Sequence, residues 1–444
     1  MLETIKNLLK SKKYDKLKIK LEKLSEADIA EILVDLDHED VITIFRLLPK
    51  DLSAEVFSYL EIDHQQVVIN SLSNKEAATI LDNMYADDAA DLIDEMPANI
   101  VKQLLSNTTP ETRRDINFLL KYSDDSAGSL MTVEFIDIKE TDTVRQAINK
   151  IKKEAKNKKN IDFCYVLDKR RKLLGIISLQ DLLINDDNTV IKDIMDNVST
   201  NITTSTDQEI VANEFKKYDV TSMPVVDSEN RLVGIITIDD IMDIVEEETT
   251  EDIEKMAAIT PNDKPYMKTG VFATWKKRIP WLLILMISAT FTGKIIQHYE
   301  SALASYVVLT SFIPMFMDTG GNAGGQASVT IIRSLSLNEI DFKDIFKILW
   351  KEIRVSLLIG ITLAIANFIK LMIVDQVTIQ IAFVVCLTLI VTIFFAKIVG
   401  CSLPMIAKKI GFDPAVMASP FITTIVDAIS LIVYFQIATH LLGL

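Results

Sequence analysis

From residue 279 onward the chain carries stretches of about twenty apolar residues, the length that crosses a bilayer as helix, and this restricts its fold more than any other feature. The stretches run approximately over 279–296, 303–332 with a break, 355–374, 377–398 and 414–442. Hydrocarbon offers no water to satisfy backbone N–H and C=O groups, so each is expected to be a helix. Lys276, Lys277 and Arg278 precede the first; Arg333, Lys343, Lys347, Lys351 and Arg354 lie between the second and third; Lys397, Lys408 and Lys409 lie between the fourth and fifth. Basic loops stay on the cytosolic side, so five crossings leave the N-terminal part inside and the C-terminus outside.

Charge divides at the same place. Residues 1–275 hold 34 basic and 53 acidic side chains, a net of −19, while residues 276–444 hold 13 and 9, a net of +4. An acidic soluble part followed by a membrane part excludes a nucleic-acid binder, which needs a basic face, and makes cations the natural partners. Three cysteines without a CxxC pair and four scattered histidines give neither a disulfide framework nor a zinc site. The soluble part reads as cytosolic, and the charge-studded first twenty residues do not read as a signal peptide.

Two repeats organise the soluble part. Leu33, Phe45, Phe57, Ile69, Leu81, Ile93 and Leu105 recur every twelve residues, and Leu36, Leu48, Leu60, Leu72, Met84 and Met96 follow three residues behind. A shift of three keeps both rows on one helical face, with Asp37, Pro49, Ser73 and Pro97 at the intervening turns, so residues 1–126 are expected to stack as a small α-solenoid. Further on, Tyr165-Val166-Leu167-Asp168 and Leu174-Gly175-Ile176-Ile177-Ser178 return 59 residues later as Pro224-Val225-Val226-Asp227 and Val233-Gly234-Ile235-Ile236-Thr237. Strand, turn, strand and capped helix form one ββα unit per copy. Asp142 and Asp207 match at an offset of 65, so the first copy carries about six extra residues, read as a loop around the Lys-rich run 156–160.

This pair, residues 127–248, resembles the tandem cystathionine-β-synthase (CBS) module, an α/β regulatory fold that commonly senses adenosine nucleotides or cations. The resemblance places Thr237 and Asp240, or Ser178 and Asp181, near the ribose of a nucleotide such as ATP. The same residues equally serve as a helix cap and as charges favoured by the helix dipole.

Two features of the membrane part carry chemistry. Four of the chain's thirteen glycines fall within Gly320-Gly321-Asn322-Ala323-Gly324-Gly325. They either let helices approach closely or, with Pro314 just before, open a helix so that carbonyls and Asn322 line a cavity. Asp427 lies near the middle of the last stretch, where a carboxylate costs at least about 2.5 kcal/mol and is expected to face water or a cation. Lys370 or Lys397 could instead pair with it.

The helical repeat, CBS copies, acidic helix and apolar stretches bearing GGNAGGQ and PFITTIVD together resemble the MgtE family of magnesium transporters or channels, over essentially the whole chain. The resemblance implies a homodimer in the lipid bilayer of the cell membrane, with a pore on the two-fold axis. Asp427 of each protomer would hold hydrated Mg²⁺ there, with help near Thr423, and Gly321, Asn322 and Pro420 would line the path. Ser419 and Ser430 depart from the Asn and Gly of some relatives. A hydrated divalent ion held by two carboxylates suits the reluctance of Mg²⁺ to shed water.

Acidic runs are ordinarily solvated faces, yet two occur in parts that must pack together: Asp87-Asp88, Asp91 and Asp94-Glu95 in the repeat, and Asp239 to Glu254 after the second CBS copy. Such clusters repel unless cations bridge them. The family resemblance makes Asp88, Asp91, Asp240, Asp243, Glu248, Glu251 and Asp252 ligands of regulatory Mg²⁺ that closes the pore through a plug helix at about 249–259, within a connecting segment 249–275 ahead of the pore domain 276–444. The alternative is a proton- or sodium-coupled divalent carrier whose CBS pair reads nucleotide. No nucleophile-base pair, HExxH, P-loop or Rossmann pattern supports an enzyme.

Overall fold

The computed structural model describes residues 1–198, 200–262, 266–417 and 419–443, apart from the side chains of residues 268, 302 and 419. These fall into two compact units, 1–245 and 246–444.

In the first unit, helices Glu26–Val34, His38–Leu47, Lys50–Ser58, Ile62–Ser71, Asn74–Leu81, Ala86–Asp94, Ala98–Asn107 and Pro110–Leu119 begin every twelve residues, as the hydrophobic period predicts. Helices Leu2–Lys10 and Tyr14–Leu21 precede them. Asp37, Pro49, Ser73 and Pro97 each stand at the residue before a helix, and Ser73 closes a reciprocal cap with Glu76 that satisfies two otherwise unpaired N–H groups. Leu33, Phe57, Leu81 and Ile93 are buried in the core the helices share; at the far end Leu104 takes the buried place expected of Leu105.

The two ββα copies form separate sheets, Asp137–Lys139, Phe163–Leu167, Leu173–Ser178 and Asp196–Asn197 in the first, Ile202–Thr203, Ser222–Val226 and Leu232–Thr237 in the second. Their hairpins pair Tyr165 with Ile176 and Pro224 with Ile235, so the offset of 59 is also a repeat of strand register. In both turns an aspartate accepts two backbone N–H bonds, Asp168 from Arg170 and Lys172, Asp227 from Glu229 and Arg231. Phe135, Tyr165, Leu167 and Leu173 of one copy and Val226, Leu232 and Ile235 of the other share one core. The copies differ where the spacing differs. Helix Gln208–Tyr218 ends at a left-handed Asp219 and leads straight into its strand, whereas Val144–Glu154 is followed by a 3₁₀ turn, Ala155–Asn157, and a loop over 158–162.

The acidic run is one continuous helix, Ile238–Met256, so the expected plug is the end of a longer helix and not a separate element. No Gly or Pro interrupts residues 238–256, and nothing local forces a break.

The second unit is built from helices Val271–His298, Ile313–Ser336, Ile345–Ile373, Ile379–Lys409 and Ser419–Leu442. Among the described residues four spans are long and apolar enough to cross a membrane, Val271–His298, Phe342–Ile373, Ile379–Lys409 and Pro414–Leu442. The stretch expected as the second crossing differs. Its break lies before Pro314, in a 3₁₀ turn Val307–Phe312, and Ile313–Ser336 has spanning length but not spanning hydropathy, since Asp318, Asn322, Gln326 and four glycines dilute it.

That helix runs unbroken through its glycines, because they are used for close packing against Ile379–Lys409 and Ser419–Leu442. A Cβ at Gly320 would meet Thr392, Val426 and Ser430 at 2.9–3.0 Å, and one at Gly324 would meet Ile422 at 2.9 Å. On the facing helix, a Cβ at Gly400 would run into the backbone carbonyl of Gly324. Small residues at the crossing bring the backbones together where hydrophobic driving force between lipid-exposed helices is weak.

Gly400→Ala should therefore lower the thermal stability of the detergent-solubilised chain, by about 1–3 kcal/mol for an overpacked contact. Gly293→Ala, which meets nothing within 4 Å, should leave it unchanged or slightly raised. Equal melting temperatures for the two variants would remove the close-packing role of Gly400.

Candidate functional site

The membrane carboxylate Asp427 lies two turns into helix Ser419–Leu442, one helical turn after Thr423, which sits against Gly321. Its Oδ1 is buried and has no hydrogen-bond partner among the described residues. The two lysines that could have paired with it are engaged elsewhere, Lys370 with Asp375 at 2.7 Å and Lys397 with Glu352 at 3.8 Å. A structural ion pair with either is thus ruled out, and the carboxylate is left needing water or a cation. Helix Ser419–Leu442 is continuous, so the carbonyls of Pro420 and Thr423 belong to helical backbone; Pro420 is half-buried and its carbonyl also accepts a bond from the Thr424 hydroxyl. The side chain of Ser419 lies outside the described residues. Ser430 is buried, its hydroxyl donating to the Val426 carbonyl at 2.7 Å.

Asn322 is exposed on the helix that packs its glycines inward, while Gly321 beside it is buried. The Asn322 side-chain amide donates to Asp318 at 3.1 Å, and the Asp318 carboxylate is near enough to Asp427 for their charges to repel. Asp318, Asn322 and Gln326 are all exposed and fall at i, i+4 and i+8, one polar stripe on a helix of the membrane part. Asp318 was not among the residues singled out from the sequence. Its position one turn before Asn322, inside an apolar stretch, was the available signal.

In the first unit the acidic residues of the repeat and of the CBS pair do meet, around a lysine. Lys159, on the loop peculiar to the first CBS copy, donates from Nζ to Asp87 Oδ2 at 2.7 Å and to Asp240 Oδ1 at 2.9 Å, with Asp239 at 3.8 Å. Its side chain is 10% exposed and that of Asp87 6%. Desolvation alone would lower the Lys159 pKa, but Asp87, Asp240 and Asp88 outweigh it and hold the ammonium above the ordinary lysine range. Half-buried Asp88 responds the other way: desolvation, then the charge of Asp87, pushes it up to about 7. Asp91 is exposed at the edge of the cluster and, with Asp88, Ser58 and Gln65, lines a cavity of about 220 Å³. Asp94 and Glu95 are exposed, as is Asp243 on its helix.

The nucleotide positions are already bonded within the chain. Thr237 is buried, and its hydroxyl donates to Asp240 Oδ2 at 2.9 Å while Asp240 also takes Lys159; Ser178 bonds Asp181 at 2.5 Å and caps its helix. Both pairs are closed on themselves in this conformation, and a ribose would have to displace Lys159 or share Asp240 with it.

The remaining predicted ligands lie in the second unit, again with a lysine among them. Lys255 contacts Glu251 and Asp413 at 2.7 Å each, and Asp252 accepts from the Ser336 hydroxyl at 3.2 Å. Glu248 is half-buried. Asp413 was missed from the sequence, where nothing local marks it. Among the described residues no three His, Cys, Asp or Glu side chains come together closely enough to hold a metal ion within one chain.

Comparison with known proteins covers the same parts. The profile of the MgtE intracellular N domain matches residues 24–125, that of the CBS domain residues 127–186 and 191–247, and the MgtE profile, described as a divalent cation transporter, residues 313–437. The magnesium transporter MgtE of Thermus thermophilus is 35% identical over 428 residues, covering 95% of this chain and 94% of that protein. The magnesium transporter MgtE of Bacillus subtilis is 32% identical, covering 93% of each. A crystal structure of the cytosolic domain of the Mg²⁺ channel MgtE in complex with ATP is 33% identical with a TM-score of 0.53, covering 55% of this chain and all of that one. The soluble part of a magnesium transporter gives 31% and 0.54, covering 56% of this chain and 97% of that one. Similarity that runs through the helical repeat, both CBS copies and the membrane helices in one order is inherited as a whole, and the chain belongs to the MgtE family of magnesium transporters.

Proposed function

We propose that this multi-pass membrane protein is a magnesium channel that imports Mg²⁺ down its gradient across the cell membrane as a homodimer, with residues 1–245 in the cytoplasm. The observation that carries the reading is Asp427, a membrane carboxylate with a buried, unpartnered oxygen among the described residues and a second carboxylate, Asp318, nearby. One chain supplies too few ligands there for a bound ion. Two copies facing across an axis would supply a ring of carboxylates and Asn322 amides, a wide polar site that holds Mg²⁺ through its own water shell and favours a divalent over Na⁺ or K⁺. The exposed stripe Asp318, Asn322 and Gln326 supports this arrangement, since lipid would not tolerate it. Gly321 and Thr423 set the spacing behind that stripe, and Pro420 lies in the first turn of the helix that bears Asp427. The chain moves an ion and carries out no reaction.

Regulation follows from the acidic clusters. Cytosolic Mg²⁺ bound by Asp88, Asp91, Asp240, Asp243, Glu248, Glu251 and Asp252 would favour a closed state, and the ion must bind that state more tightly than the open one. ATP, which the crystallised relative binds, would act here as a regulatory ligand near Thr237 and Asp240, in exchange with the contacts those residues already make.

In proteoliposomes at neutral pH, without ATP or a sodium or proton gradient, the native chain should pass Mg²⁺ and Asp427→Asn should lose about tenfold of the flux, the factor that about 1.4 kcal/mol of ion binding carries. A native chain that needs a proton or sodium gradient would point to a coupled carrier; unchanged flux in the variant would make Asp427 structural. Neutralising Asp243, Glu248 and Asp252 together should raise the cytosolic Mg²⁺ needed for closure; an unshifted closure curve would sink the sensor assignment.

Proton dependence has a definite sign. Asp88, held up at about 7, is neutral below that value and charged above it, so its burial costs stability as pH rises through 7 and a divalent ion offsets that cost. Added Mg²⁺ should raise the melting temperature of the full chain more at pH 8 than at pH 6. The reverse order would contradict the placement of Asp88 in a cation-binding cluster.

A further inference from the structure

The aspartates expected to wait for a divalent ion are bridged by a cation that belongs to the chain. We infer that Lys159 is a resident counter-ion: its ammonium occupies the acidic junction of the helical repeat and the CBS pair, so that helix Ala86–Asp94 stays docked on the pair without a divalent ion at that point. The inference rests on the regulatory reading above and deepens it, by saying what occupies one of its sites when Mg²⁺ is scarce.

Four observations carry it. Lys159 reaches aspartates from both domains, Asp87 of the repeat at 2.7 Å and Asp240 of the CBS pair at 2.9 Å, and its side chain is almost wholly enclosed. Those distances are the spacing of N⁺–H···O⁻ bonds; oxygens bound to Mg²⁺ sit at about 2.0–2.1 Å, so the carboxylates would have to draw inward to take the metal. The other oxygen of Asp87 is buried without a hydrogen-bond partner among the described residues, a coordination place that an ammonium with two aspartates leaves open and a metal could fill. Lastly, the lysine rides on the six residues by which the first CBS copy exceeds the second, a loop whose backbone is tied to Glu134 by the Lys159 N–H at 3.1 Å. Glu134 in turn accepts from the Ala86 N–H, at the start of the docked helix, at 3.2 Å. Loop and helix are thereby held to one residue, and the Lys159 ammonium also lies 5.8 Å from the centre of the Tyr85 ring, the residue before that helix.

A charge placed this way has a standing advantage over a free ion, because the loop has already lost the freedom that a diffusing cation would lose on binding. Removing the ammonium leaves Asp87, Asp88 and Asp240 facing one another with nothing between, and the junction then depends on a supplied cation.

Hydrogen exchange of helix Ala86–Asp94 in the full detergent-solubilised chain tests this, with chelator or with millimolar Mg²⁺. The native helix should already be protected in chelator, with Mg²⁺ adding far less protection than it adds to a variant without the lysine charge. Lys159→Met drops the charge and should exchange about tenfold faster in chelator and return to native protection in Mg²⁺. Lys159→Arg keeps the charge and should stay protected in chelator. Native-like protection of the Met variant in chelator would overturn the inference, and so would faster exchange that Mg²⁺ does not restore, which marks an ion pair with no cation site beneath it. An Arg variant that behaves like the Met variant would overturn it as well. The exchange reads the junction alone, so a failure of Mg²⁺ flux or of its closure would count against the proposed function and leave this result standing.

Discussion

A charge withdrawn from water has to find an opposite charge, and the two units of this chain are arranged around that requirement. In the first, Lys159 sits among Asp87, Asp239 and Asp240; in the second, Lys255 joins Glu251 to Asp413, and Lys397 lies against Glu352. Desolvation penalises the enclosed pairs, Lys159 with Asp87 and Lys397 with Glu352, and the partner offsets it, so breaking one side of such a pair costs more than the pair contributes. Asp427 departs from the rule. It lies in a membrane helix, one oxygen is buried without a partner among the described residues, and the charge that acts on it is another carboxylate, Asp318. A site kept short of positive charge is where a permeating cation has something to gain.

The glycine-bearing helix Ile313–Ser336 shows how packing and polarity are divided on one element. Its buried face offers Gly320, Gly321 and Gly324 to the neighbouring helices, and its exposed face carries Asp318, Asn322 and Gln326. The close crossing at Gly324 and Gly400 fixes the rotation of the helix about its axis, and that rotation decides which side chains are left outside. Packing and polar stripe are therefore one feature seen from two sides, and the helix achieves both without unwinding.

Much of this was legible in the order of residues. A twelve-residue apolar period can be satisfied only by short helices stacked face to face, and the starts at Glu26, His38 and Lys50 keep that step through Pro110. An offset of 59 between two ββα segments reappeared as the pairing of Tyr165 with Ile176 and Pro224 with Ile235. Asp427 stood out because a carboxylate is rare in an apolar span. The second membrane helix was harder: Pro314 and the glycines signal either a break or a close contact, and the facing surface of Gly400, 76 residues away in sequence, distinguishes the two.

Local pattern determined the repeats, the caps, four of the five expected spans and the presence of acidic clusters, since each depends on residues within a few turns of one another. Tertiary structure alone decided which cation meets those acids. A lysine in a surface-like run, Lys156 to Asn160, gives no sign of being buried, because its burial follows from a helix more than sixty residues earlier being brought against it. Likewise Lys397 and Lys370 were plausible partners for Asp427 until their own partners, Glu352 and Asp375, were known. Electrostatic pairing depends on distances of a few ångströms between segments far apart in the chain, and composition and periodicity hold no record of those distances.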